Sequence, residues 1–212
     1  MSIDDFIANH IVQRSESIGY LAQHCLFDQI PDLRADFSIP DYCSVLNDED
    51  SDDVIVNAWF GPVGCASPLH HDPYHNLLAQ IVGYKFVRLF SPDQSCHLSP
   101  LTGKMSNNSS LNLQDDTSAL DAKYTDILLR PGDVLYIPRW HWHYIASVDS
   151  RDIENFCVDD LPRFEEQSYN TKKQCIRSHY QDGDNSVVIG ENGSFVFSIS
   201  FWWGERIEKP PS

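Results

Sequence analysis

The sequence predicts an all-β core with short flanking helices, folded as a double-sheet jelly roll. Three observations point there. Short runs rich in β-branched and aromatic residues recur along the chain, which is the composition of half-buried strands. Gly, Pro, Asn and Asp punctuate those runs, as turns between strands require. His70-His71-Asp72 is answered far downstream by His143, so residue types that ligate metals would enter one interior from separate short strands.

The elements follow in order. Ile3, Phe6, Ile7 and Ile11 recur at helical spacing within residues 3–13, with Ser2 as the N-cap. A second short helix is expected near 21–29, and Pro31 and Pro40 mark the loop after it. The acidic run Asp48-Glu49-Asp50-Ser51-Asp52-Asp53 reads as a solvated turn. Residues 54–60 form a strand that Gly61-Pro62 ends. Residues 77–82 and 85–90 are two strands joined by a hairpin-like break at Gly83-Tyr84. Residues 91–125, rich in Ser, Asn and Asp, read mostly as loop. A short strand over 127–129 leads into the turn Arg130-Pro131-Gly132-Asp133, and the strand 134–137 leaves it. Residues 195–203 alternate. Phe195, Phe197, Ile199 and Phe201 share one face, while Val196, Ser198, Ser200 and Trp202 share the other. Residues 150–193 mix both charge signs with Gly-containing turns, and are expected to be a partly mobile insertion between two strands.

Composition narrows the function. A chain of 212 residues fits one domain. The formal net charge of −16 disfavours direct nucleic-acid binding, which needs Lys and Arg against phosphate, and suits a basic peptide partner. Acidity of this size also serves solubility alone. The cysteines Cys25, Cys43, Cys65, Cys96, Cys157 and Cys175 form no C-x-x-C pair, so reduced thiols in the cytoplasm or nucleus are expected. The first residues have neither a basic nor an apolar leader region, and no run is long and apolar enough to span a membrane. The sequons at Asn107, Asn108 and Asn192 are therefore read as irrelevant to glycosylation.

His-x-Asp with a distant His is the pattern of a two-histidine, one-carboxylate facial triad. Such a triad holds a divalent metal on one face and leaves the other open. Side chains at i and i+2 of a strand point the same way, so His70 and Asp72 can reach one ion. His143 follows Asp72 by 71 residues and must arrive on another strand. No cysteine takes part, which argues against a Cys-rich structural zinc site. His71 should point away from His70, and His75 is a nearby alternative. His141 reads as a loop neighbour of His143, and His10, His24, His97 and His179 lack ligand spacing.

The stretches NAWFGPVGCASPLHHDPYHNLLAQIVGYKFVRLFSP, RPGDVLYIPRWHWHYI and FSISFWWG resemble the catalytic core of the Jumonji-C (JmjC) oxygenases. GYLAQHCLFDQIPDL and IPDYC sharpen the likeness to the branch with arginyl hydroxylases that are also named lysine demethylases. The likeness covers residues 1–149 and 194–204. It implies a double-stranded β-helix of the cupin type, and a chemistry that uses Fe(II), the cosubstrate 2-oxoglutarate, and O₂. It implies His70, Asp72 and His143 as iron ligands and catalytic centre. Lys85 would pair with the distal carboxylate of 2-oxoglutarate, and an ammonium is a fitting counter-charge there. On its own pattern, Lys85 reads as a surface strand residue. Tyr20, Ser67, Asn76 and Trp202 would line the cosubstrate pocket. Gln23 and Trp59 would face the substrate, although Trp59 also fits plain core.

The same likeness implies C-3 hydroxylation of an arginine side chain in a basic, arginine-containing protein or peptide, with chromatin regulation and a nuclear site. An alternative is demethylation of N-methyl-lysine, as on histones, by the same chemistry. Family members carry further chain before the segment matching Met1, so the expectation is a single JmjC domain lacking its N-terminal portion, with the jelly roll incomplete there. Loss of strands would expose sheet edges, which keeps a non-catalytic module binding a basic partner as a competing reading. A cupin-like metal site without oxygenase activity is the third.

Overall fold

The computed structural model describes residues 1–13, 17–44, 54–113, 121–153 and 195–204. Of the features expected above, the acidic run 48–53, the insertion beyond residue 153, Cys157, Cys175, His179 and the Asn192 sequon lie outside them. Two antiparallel sheets face each other. One runs in the order β1 (Leu21–His24), β2 (Ile55–Pro62), β9 (Phe195–Trp203), β4 (His75–Val82), β7 (Val134–Ile137). The other runs β3 (Ala66–His70), β8 (Trp142–Val148), β5 (Tyr84–Phe90), β6 (Thr125–Leu129). This is the expected β-sandwich of jelly-roll type.

Alternation along the strands sorts side chains into three apolar layers. Leu78, Val87, Leu129, Ile137 and Ile145 meet between the sheets. Leu77, Ala58, Ile199, Phe201 and Trp203 lie on the outer face of the five-stranded sheet, covered by Leu26 and Phe27 of α2 (Leu26–Gln29) and by Leu33 of α3 (Pro31–Arg34). Phe90, Trp142 and Tyr144 on the outer face of the other sheet are covered by Leu98 and Leu113 of the long loop. The loop thus has a packing role, although it is mostly irregular. The alternation expected for β9 holds: Ile199, Phe201 and Phe197 join the outer layer, while Ser200 turns inward to accept the Trp59 indole.

The first helix forms as expected. Ser2 and Asp5 make a reciprocal capping box at the head of α1 (Ile3–Phe6), and the helix continues to Val12 with wider turns. Four local expectations are corrected. Residues 21–24 are strand, not helix, because β2 offers them an edge to pair with. The strand 54–60 extends through Pro62, which is tolerated as its last residue and pairs with Phe195. Gly83 does not join a hairpin: β4 and β5 lie in different sheets, so Gly83, at φ +73°, turns the chain from one sheet to the other. The Gln80 amide pins that corner by donating to the carbonyls of Val82 and Gly83, at 2.8 and 3.0 Å. The turn at Arg130–Asp133 is present, with Asp133 accepting from the Arg130 amide at 2.8 Å, but it too crosses between sheets. The fourth correction concerns Asp72 and belongs to the site.

Cys25, Cys43, Cys65 and Cys96 stand as thiols. Among the described residues, no helix is long and apolar enough to cross a membrane.

Candidate metal and cosubstrate site

β3 and β8 pair so that His70 and His143 are direct cross-strand partners. His143 therefore arrives from another strand, as its distance in sequence requires. Asp72 does not share the strand of His70: β3 ends at His70, and Asp72 lies in the loop beyond it. The loop still returns its carboxylate to the same spot, because the Trp140 amide donates to the Asp72 carbonyl at 2.8 Å. One ligand atom from each of His70, Asp72 and His143 lies within 4.8 Å of the others. Asp72 Oδ2 stands 3.9 Å from His70 Nε2 and 3.6 Å from His143 Nε2.

The ring orientations follow from their outer contacts. His70 Nδ1 lies 2.7 Å from the Pro68 carbonyl, and His143 Nδ1 lies 2.9 Å from the His141 carbonyl. A carbonyl only accepts, so each Nδ1 carries the proton and each Nε2 presents a lone pair toward Asp72. Burial holds the His143 ring well below the ordinary histidine range, and a proton on His70 would push it lower still. Burial raises the Asp72 carboxyl, and only a protonated His70 would oppose that rise. Asp72 Oδ2 is buried with no hydrogen-bond donor. Two neutral imidazole lone pairs and an unsatisfied carboxylate oxygen, all facing one point, fit a divalent cation with N and O preferences.

A cleft partly open to solvent, with about 310 Å³ of free space including its mouth, is lined in part by the triad. Leu78 and Ile145 give it apolar walls, and Lys85, Tyr20, Ser67, Asn76, Trp202 and Trp59 line the rest. Lys85 is 2% exposed. Among the described residues, no carboxylate lies within ion-pair distance of it. Its Nζ reaches Tyr20 Oη at 3.5 Å and lies 5.9 and 5.7 Å from the Tyr20 and Trp59 ring centres. Burial pulls the Lys85 ammonium down to about 7. The Tyr20 phenol is raised by burial, while its bond with Ser67 works the other way. Asn76 Oδ1 and Trp202 Nε1 are buried and unpartnered. A buried cation without a counter-charge, beside unused donors and acceptors, fits a small dicarboxylate.

The structure thus gathers the three expected ligands, Lys85 and the four expected pocket residues around one cavity. Trp59 joins them and also packs against the inter-sheet layer, with its indole donating to Ser200 Oγ at 2.9 Å. Gln23 is exposed on β1, at φ +49°, outside the cavity lining. His71 points away, edge-on to Trp140 and Trp142. His75 is turned to the outer face, against Tyr136 and Trp203. Sequence reasoning does not reach the Pro68 and His141 carbonyls, since backbone acceptors leave no residue signature. Nor does it reach Tyr74, which stacks on Trp202 at 5.6 Å.

The profile of the cupin-like domain family matches residues 1–208. Among curated proteins, the chain is 44% identical over 156 residues to "Lysine-specific demethylase 8" of Danio rerio, covering 70% of this chain and 38% of that protein. It is 44% identical to the protein of the same name from Xenopus tropicalis, covering 70% and 35%. It is 40% identical to "Jumonji C domain-containing protein 5" of Drosophila melanogaster, covering 69% and 39%. The chain therefore spans little more than a third of the length of these relatives. With its two facing sheets and its His-Asp-His cluster, the chain belongs to the cupin-like family as a JmjC domain.

Proposed function

We propose that this chain is an Fe(II)- and 2-oxoglutarate-dependent protein oxygenase. The observation that carries the reading is the meeting, in one cavity, of the His70–Asp72–His143 cluster with a buried, unpaired Lys85. His70, Asp72 and His143 would hold the iron through Nε2, carboxylate oxygen and Nε2. Iron with 2-oxoglutarate and O₂ supplies the oxidising power to turn a substrate C–H into C–OH. Lys85 would neutralise the distal carboxylate of 2-oxoglutarate, with the Tyr20 hydroxyl beside it. Asn76 and Trp202 offer an acceptor and a donor to the groups nearer the metal. Leu78 and Ile145 add apolar walls, which would strengthen each of these contacts.

The substrate reading is C-3 hydroxylation of an arginine in a basic protein or peptide. A Trp59 ring at the cavity can stack on a guanidinium, and a chain of net charge −16 attracts a basic partner. Gln23 would act at the rim rather than inside. The second reading, removal of an N-methyl group from lysine, is favoured by the demethylase names of two relatives. One oxidation serves both. A hydroxyl on a side-chain carbon stays, whereas one on an N-methyl group is lost as formaldehyde. Residues 1–149 and 194–204 would form the catalytic domain, with 150–193 inserted, acting in the nucleus or cytoplasm.

The test is succinate release from 2-oxoglutarate with Fe(II), ascorbate and peptides that carry arginine or methyl-lysine. Wild type should release succinate and His143→Ala should not. A peptide that gains one oxygen atom marks hydroxylation, and one that loses a methyl group marks demethylation. Equal turnover by His143→Ala would overturn the ligand assignment. A folded but silent wild type would overturn the enzymatic reading in favour of a binding module.

A further inference from the structure

Asp72 and His143 are both held by one short stretch of backbone. The Trp140 amide donates to the Asp72 carbonyl at 2.8 Å, and the His141 carbonyl accepts from His143 Nδ1 at 2.9 Å. Trp140 sits at φ +68°, a left-handed conformation that a bulky residue adopts only when its surroundings impose it. The neighbouring Arg139 is itself tied down. Its Nε donates to His75 Nε2 at 2.9 Å, so that nitrogen is a lone pair and Nδ1 carries the proton toward Tyr136 Oη, 2.7 Å away. His75 is 7% exposed and packs in a cluster with two rings, Tyr136 at 5.8 Å and Trp203 at 5.6 Å. It opens β4, and the next residue, Asn76, lines the cavity from the opposite face.

We propose that His75 is a positioning residue of the metal centre: by anchoring Arg139 it fixes the corner 138–141, and so sets the aim of Asp72 and His143. The inference rests on reading the triad as a metal site. It gives His75 a role although it never faces the cavity, and it gives Arg139 one although it touches no ligand side chain.

The probe is Mn(II) alone, titrated into the full chain and read by calorimetry and by its electron paramagnetic resonance signal. Partners that bond a metal ligand directly are worth about 10- to 100-fold in metal affinity, and one bond further out the low end of that range is expected. His75→Phe keeps the ring stack and removes both hydrogen bonds, so it should weaken Mn(II) about tenfold and broaden the signal. Arg139→Met should do the same, and the double variant should lose no more than either single one. His75→Gln can accept from Arg139 and donate to Tyr136, and should recover affinity to within about threefold of wild type. A merely structural role would lower the melting temperature and leave the Mn(II) affinity of the folded protein unchanged. That result, or additive losses in the double variant, overturns the proposal. If His75→Phe does not fold, Arg139→Met and His75→Gln decide it. Failure of wild type itself to bind Mn(II) removes the metal-site reading, and the positioning role with it.

Discussion

Replacing Lys85 with Met tests the cavity by an effect on stability, without needing a substrate. The ammonium is 2% exposed, unpaired among the described residues, and drawn down from 10.5 to about 7 by burial. In the unfolded chain it keeps its proton up to 10.5, so between about 7 and 10.5 the unfolded state binds more protons than the folded one. Stability of the ligand-free protein must then rise with pH across that window, and below 7 the full penalty is present. At about 1.4 kcal/mol per pH unit, the penalty is on the order of 5 kcal/mol. Methionine has similar length and no charge, so Lys85→Met should be more stable than wild type at pH 6.5 by a few kcal/mol, less what its packing loses. Urea unfolding of both proteins from pH 6.5 to 9.5 measures this. The difference between them should shrink steadily as pH rises, because the folded-state Cys65 thiol, the neighbour that feels Lys85, is raised to about 11 and stays protonated across this range. The same variant should bind 2-oxoglutarate at least about 100-fold more weakly, since an unpaired buried carboxylate costs about 3 kcal/mol or more. A pH-independent difference would refute the account of Lys85 as a buried, uncompensated cation. Unchanged 2-oxoglutarate affinity would refute its role as the counter-charge.

Two further outcomes follow from the same geometry. At pH 8 the ligand-free Lys85 is mostly neutral, and pairing with a carboxylate raises its pKa again, so binding of 2-oxoglutarate should take up close to one proton. Calorimetry in buffers of different ionisation enthalpy reads that number directly, and uptake should vanish at pH 6 and in Lys85→Met. Gly83→Ala places a Cβ 2.8 Å from the Phe195 carbonyl oxygen at φ +73°, so it should cost about 2 kcal/mol or more by chemical denaturation; a neutral effect would mean that the corner does not need its glycine.

Much of this arrangement is legible in the amino-acid sequence, and the exceptions share a cause. The alternation of 195–203 and the turn at 130–133 are set by neighbours in sequence, and both are found where expected. Gly83 is legible as a bend but not as a crossing, because a hairpin and a sheet-to-sheet corner ask the same φ of their glycine. What separates them is the pairing of β5 with β8 and of β4 with β9, both far away in the chain. Residues 21–24 carry apolar spacing that serves helix or strand, and only the free edge of β2 settles it. For Asp72, strand spacing leads to the right point by a partly wrong route. Its side chain reaches the site because Trp140 holds the loop, not because a strand carries it there.

Lys85 shows where pattern reasoning has to give way. Alternation puts it on the same face as Val87 and Leu89, which pack between the sheets, while Phe86 and Phe90 turn out toward the loop that covers them. Both faces of β5 are therefore largely buried, with Arg88 on the outer one paired to Asp126, and no periodicity marks either one as wet. A lysine in such a strand contradicts every local rule: it is charged, buried, and among the described residues it has no opposite charge. A fold selected for stability alone would place a methionine or leucine there. Retaining the ammonium lowers the stability of the ligand-free protein and raises its affinity for whatever brings a carboxylate. The local conflict at Lys85 is thus itself a pointer to the site. It is also independent of the metal ligands, being a matter of burial and charge alone. Two unrelated physical anomalies, an unsatisfied carboxylate at Asp72 and an uncompensated ammonium at Lys85, border the same cavity, and a chelating dicarboxylate bound to a divalent metal would relieve both at once.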